Sequence, residues 1–113
     1  MRKERKPPRV HQAFVRRFPE LGRAWDLARE AGQSGPLDEK TVHLVKLAVA
    51  FGALREGAVH SSVRKGLAAG VSRDEIHQVI ALSSTTIGFP AAVAVYTWVV
   101  ELLDRERGRP QAR

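Results

Sequence analysis

Between Arg55 and Ile76 the chain reads REGAVHSSVRKGLAAGVSRDEI, and this stretch constrains the fold more than any other. Gly66 and Gly70 punctuate the end of one helix. Ser72 then offers a side-chain oxygen to free backbone N–H groups, and Glu75 three residues on completes a capping box, so a second helix starts there. A helix, a glycine stop and a capped helix follow one another with no room for a strand. Elsewhere no segment alternates polar and apolar residues, no hairpin signal appears, and no repeat of 20–50 residues is present. The expectation is an all-α bundle of about five to six helices.

In chain order, residues 1–9 with Pro7 and Pro8 read as a disordered basic tail. A short amphipathic helix is expected over Val10 to Phe18, with Phe14 and Phe18 four apart. Pro19 suits the first turn of the next helix, where its missing N–H costs nothing. That helix should run to about Ala31, with Leu21, Trp25 and Ala28 on one face and Gly32 as its stop. Asp38 caps a third helix to about Leu54. Val42, Leu44, Val45, Leu47, Ala48, Val49 and Phe51 cover more than half its circumference, so it should be largely buried. The fourth helix spans about Glu56 to Ala69, where Ala58, Ser62 and Gly66 form a small-residue stripe that would admit another backbone. In the fifth, Ile76, Val79, Ile80 and Ser83 share a face, and Gly88-Phe89-Pro90 breaks it. The last helix, Pro90 to Glu106, is apolar all round, yet its run Ala91 to Val100 is too short for a bilayer, which takes about 20 residues. A chain of 113 residues has little interior for two such helices. Self-association is therefore expected. The domain is placed at 10–106, with a second basic tail at 107–113.

A net charge of +7 suggests nucleic acid until it is located. Residues 1–9 contribute +4 and residues 105–113 contribute +3, so the segment between them is neutral. The folded part carries no basic stripe, and its few aromatics are not interleaved with basic residues, which argues against a nucleic-acid surface. There is no cysteine, which removes disulfides, thiolate metal sites and thiol redox chemistry. The basic start has no apolar run behind it and is no secretory signal, so a cytoplasmic location is expected.

Candidate chemistry concentrates in the opening stretch. Glu56 and His60 stand four apart and can touch on a helix, and a carboxylate beside an imidazole is the usual preparation of a general acid or base. The competing reading is a solvated pair continuing to Arg64. His43 lies inside the apolar third helix, either as a second titrating group or as a core-edge histidine bonded to a carbonyl. His11 falls near the N-terminal end and His77 on an expected polar face. The four histidines have no paired-ligand spacing, so no metal site is expected. With no phosphate loop, GxSxG elbow or dinucleotide fingerprint, no cofactor is expected either.

Three segments carry a resemblance: LDEKTVHLVKLAVAFGA, EGAVHSSVRKGLAAGVSRDEIHQVI and TTIGFPAAVAVYTW. Over roughly residues 36–100 the chain resembles the carboxymuconolactone decarboxylase family, which includes the alkylhydroperoxidase D-like proteins. The resemblance implies an all-helical domain assembling as a homotrimer or homohexamer through its long helices. It also places the family's peroxidatic cysteine pair on Arg55 and Ala58, its histidine on Ser62 and its glutamate on His43. All four are changed, and without a thiol there is no peroxidatic nucleophile. Thiol peroxidase activity is excluded. The family's decarboxylase branch, which works by acid–base chemistry without the cysteine pair, remains.

The resulting expectation is a cysteine-independent acid–base decarboxylase acting on a small carboxylated lactone or related acid. His60 would be the acid/base, Glu56 its orienting carboxylate and His43 a second titrating group. Arg55, Ser62 and Arg64 would hold the substrate. At 100° per residue, Arg55, Ala58 and Ser62 share one face of the helix while Glu56 and His60 point nearly the opposite way. Such a site would have moved from the family's face. The alternative is a non-catalytic oligomeric module of the same fold, used for ligand binding or assembly.

Overall fold

The computed structural model describes residues 9–106, all helices and short connections. The expected tails lie outside this range, except that Arg9 opens the first helix. The elements are α1 (Arg9–Arg17), α2 (Pro19–Gln33), α3 (Glu39–Ala53), α4 (Glu56–Ala68), α5 (Arg73–Ile87) and α6 (Phe89–Glu106). They divide between two compact units, one ending at Leu37 with α1 and α2, the other beginning at Asp38 with α3 to α6.

In the first unit the Phe14 and Phe18 rings meet at 5.4 Å, where α1 gives way to Pro19 at the start of α2. Gly32 does not stop α2, contrary to the sequence expectation. The helix continues to Gln33 and ends where Ser34 turns extended at φ −97°, ψ 114°. A glycine weakens a helix without ending it unless the backbone leaves helical space there.

The second unit is a four-helix arrangement in which α3 and α6 each pack on both α4 and α5. Asp38 accepts a hydrogen bond from the Thr41 N–H and so starts α3. Leu54 ends it in the left-handed conformation at φ 56°, its N–H reaching the Ala50 and Phe51 carbonyls. The capping box at α5 is complete: Ser72 Oγ accepts from the Glu75 N–H at 3.0 Å and Glu75 Oε1 accepts from the Ser72 N–H at 2.8 Å. Gly70 supplies the φ of +99° that turns the chain between α4 and Ser72. Lys40 Nζ meets Glu75 Oε2 at 2.7 Å, tying the start of α3 to the start of α5, so these two helices run side by side in the same direction. Arg73 Nη1 donates to the Leu103 carbonyl at 3.4 Å, which sets the end of α6 beside the start of α5.

The interior is apolar throughout, with Leu47, Phe51, Val59, Val63, Ile76, Val95 and Val99 fully buried and no polar side chain among the described buried residues. Two sequence expectations need correction. Helix α3, expected to be largely buried, buries Leu47, Ala50 and Phe51 but leaves Val45 and Val49 in water, whereas the exposure of Phe89, Val93 and Tyr96 on α6 agrees with the small interior expected of the chain. The small-residue stripe of α4 is not a close backbone crossing at Gly66. A Cβ there would meet the Val71 and Leu47 side chains at 3.6–3.7 Å. Four helices enclose one interior stripe each, so the surplus apolar faces of α3 and α6 stay outside.

Candidate functional site

Helix α4 turns the stripe Val59, Val63, Gly66 into the core. Because successive residues advance 100°, the side chains next to this stripe emerge on two opposite flanks. Glu56, His60 and Arg64 repeat every four residues on one flank. Ala58 and Ser62 occupy the other. His60, Ser62 and Arg64 are all half-buried, so the Glu56–His60–Arg64 row is not the fully solvated face that the competing sequence reading required.

His60 has 19% of its side chain exposed, yet its Nε2 atom is buried and has no hydrogen-bond partner. The nearest carboxylate oxygen, Glu56 Oε2, stands 3.8 Å away. That distance is too long for a hydrogen bond and short enough for charge attraction when the imidazole is protonated. Glu56 itself is half in water. The structure thus brings together the two residues that i,i+4 spacing singled out, and adds what spacing could not show, a polar atom held away from water and left open.

The other sequence candidates are placed separately. Arg55 is exposed and stands before the helix in extended conformation, at φ −111°, ψ 116°. Ser62 lies on the flank opposite His60. His43 is half-buried on α3. Counted from the Leu54–Arg55 turn at 1.5 Å per residue, it sits about 9 Å further along the helix pair than His60. His11 is exposed on α1. His77, expected on a polar surface, is half-buried with its ring 5.8 Å from that of Tyr96, because α6 packs beside α5 on that side. Among the described residues no cluster of three His, Asp or Glu side chains could hold a metal ion.

A concavity that His60 does not line escaped the sequence reading. An open groove of about 580 Å³ runs between the parallel helices α3 and α5. Val45, Ala48 and Gly52 line one wall and Val79, Leu82 and Thr86 the other, with Glu75 at one end. Hydrogen bonds from the Lys40 ammonium, then from the Ser72 backbone, hold the Glu75 carboxyl below its ordinary value, so that end is an ion pair. Small residues at 48 and 52 on α3 were the signal that could have revealed it.

The pattern of the carboxymuconolactone decarboxylase family matches residues 19–101, most of the chain, and the protein belongs to that family. No curated protein and no solved structure matches it. No described helix is long and apolar enough to cross a membrane.

Proposed function

We propose that this member of the carboxymuconolactone decarboxylase family is a cysteine-independent acid–base lyase for a small carboxylated lactone or related acid. It would act in the cytoplasm as a homo-oligomer and without a cofactor. The observation that carries the proposal is the buried, unpartnered Nε2 of His60 beside Glu56. A polar atom kept from water without a partner costs about 1–3 kcal/mol, which a hydrogen-bonding substrate would recover.

In this reading Arg64, on the same flank one turn further, holds the substrate carboxylate. The bond from that carboxylate to the ring breaks, CO2 departs, and the electron pair left behind is drawn into the conjugated lactone carbonyl. Protonated His60 delivers its Nε2 proton to the carbon. Glu56 steadies the imidazolium beforehand and links the neutral imidazole to solvent for reprotonation. His43 is the second titrating group, reachable only by a substrate spanning about 9 Å. Arg55 and Ser62 would supply further polar contacts at the rim.

A second reading, a non-catalytic ligand-binding or assembly module of the same fold, is favoured by the apolar groove between α3 and α5. Ultraviolet-monitored turnover of carboxymuconolactone decides between them, with wild type beside His60→Ala and His43→Ala and far-ultraviolet circular dichroism as the folding control. Turnover lost with folded His60→Ala supports the lyase. Turnover surviving in that variant refutes the assignment of His60. No turnover by wild type favours the module.

A further inference from the structure

Helices α1 and α2 have no buried residue. They touch where Val15 meets Gly22: a Cβ built on that glycine would stand 3.3 Å from the Val15 Cβ, and both residues are half-buried. This contact uses one side of α1 and leaves another apolar side outside. Val10 and Phe14, one turn apart, are 80% and 48% exposed. Phe18, whose N–H still reaches the Phe14 carbonyl at 2.9 Å, continues the row. On α2, Leu21 and Trp25 repeat at the same spacing, each half in water. Two short helices with such a row and no interior of their own call for an apolar phase from outside.

The charges are arranged for a negatively charged phase. Helix α1 carries Arg9, Arg16 and Arg17 and no Asp or Glu. At 100° per residue, Arg17 emerges about 20° from Val10, on the margin of the apolar side, and Arg9 and Arg16 lie together beyond it. The Arg17 guanidinium carbon stands 5.8 Å from the centre of the Phe18 ring, so the side chain follows the apolar surface and presents its charge at the edge. On α2 the acidic residues Glu20, Asp26 and Glu30 are each turned about 100° or more away from Leu21 and Trp25. The sequence before α1 adds Arg2, Lys3, Arg5 and Lys6 against Glu4.

We infer that α1 and α2 form an interfacial anchor, laying Val10, Phe14, Phe18, Leu21 and Trp25 into the surface of a bilayer rich in anionic phospholipid, with Arg9, Arg16 and Arg17 on its phosphates. The pattern favours lipid over a protein groove. The row is short, is broken by the joint at Phe18 and is flanked by arginines without acids on α1, which suits a fluid anionic surface that moulds to it. Such helices lie in the plane of the surface and need not cross it, so no membrane-spanning helix is called for. In the cytoplasm proposed above, the inner leaflet of the cell membrane supplies the negative charge. The inference is independent of the lyase reading, because this unit holds none of Glu56, His60 and Arg64.

The test is co-sedimentation of the full chain with vesicles of phosphatidylserine and phosphatidylcholine in equal parts, beside vesicles of phosphatidylcholine alone, with tryptophan fluorescence as a second readout. Binding is expected to the mixed vesicles, far less to the neutral ones, and less at high salt. Trp25 emission is expected to shift to the blue on binding. Trp25→Phe should still bind but lose the shift, since the other tryptophan, Trp98, packs against the core of the second unit. Arg9→Gln with Arg16→Gln should weaken binding about 30-fold, from about fivefold for each cation near an anionic surface. Phe14→Ser with Leu21→Ser should weaken it about tenfold or more. Circular dichroism checks that the variants fold, and Val10→Ser repeats the apolar comparison at an almost fully exposed position should the double variant lose helix. Wild type that does not pellet with anionic vesicles overturns the inference, and duplex DNA retarded by the same protein would then assign the arginines to nucleic acid. Binding undiminished in the folded apolar variants also overturns it, because charge alone would account for the attraction. Trp25 emission already blue without lipid and unmoved by vesicles overturns it in favour of a second copy covering the row.

Discussion

Replacing His60 by methionine should stabilise the fold. The Nε2 atom is buried without a partner, and such a group costs about 1–3 kcal/mol. The side chain keeps 19% exposure, which places the penalty at the lower end, about 1–1.5 kcal/mol. Against this stands the Glu56 pair at 3.8 Å, whose carboxylate is half in water, an interaction worth about 0.2–0.5 kcal/mol. Methionine matches the volume, adapts to irregular space and carries no strong polar atom. The net expectation is about 1 kcal/mol of added stability, or a rise in Tm of about 4–8 °C for a domain of this size. Methionine also favours helix by a few tenths of a kcal/mol, so His60→Gln is the companion variant: it shares that preference but keeps a polar group at the buried position. Urea unfolding of the three proteins at one fixed protomer concentration isolates the desolvation effect, since any self-association would otherwise move the midpoint. A His60→Met protein less stable than wild type by about 1 kcal/mol or more would refute the reasoning, because Nε2 would then be satisfied and His60 a structural residue.

Gly66→Ala should raise stability by about 0.5–1 kcal/mol in thermal melts, since the new methyl meets Val71 and Leu47 at ordinary contact distance and helix propensity improves. Gly66→Val should instead lose about 1–3 kcal/mol, because its γ-carbons have nowhere to go between those side chains. Ser72→Ala opens the capping box and should lower stability by about 1 kcal/mol, read by urea titration. Asp38 and Glu75 are both held below their ordinary values of 3.8 and 4.5, the first mainly by its hydrogen bonds with Thr41, the second mainly by Lys40 and then Ser72. Depressed carboxylates contribute stability that is present above the unfolded-state value and lost as pH falls through the folded one. The urea midpoint should therefore hold between about pH 7 and 5 and drop below about pH 4.5, and a combined Asp38→Asn, Glu75→Gln variant should show a smaller drop.

Local features of the chain were readable in advance because local physics makes them. The capping box at Ser72, the cap at Asp38, Pro19 opening α2 and Gly88 closing α5 each depend on residues within one helical turn. The adjacency of Glu56 and His60 is likewise a consequence of helical spacing. Gly32 misled because a glycine permits a helix end without requiring one. The burial of His60 Nε2, the contact of His77 with Tyr96 and the exposure of Val45 and Val49 depend on which helix packs on which flank, and no residue within one turn encodes that.

The sequence by itself determined that this chain is all-helical, where its helices begin and end to within a residue or two, that thiol chemistry is impossible, and which family pattern it carries. Only the tertiary structure decided that His60 Nε2 is held away from water, that α3 and α5 lie parallel with a groove between them, and which apolar faces of α3 and α6 remain outside. The reason is physical. Helix formation and capping are set by neighbours along the chain, whereas burial is a competition among all apolar faces for one interior too small to hold them all.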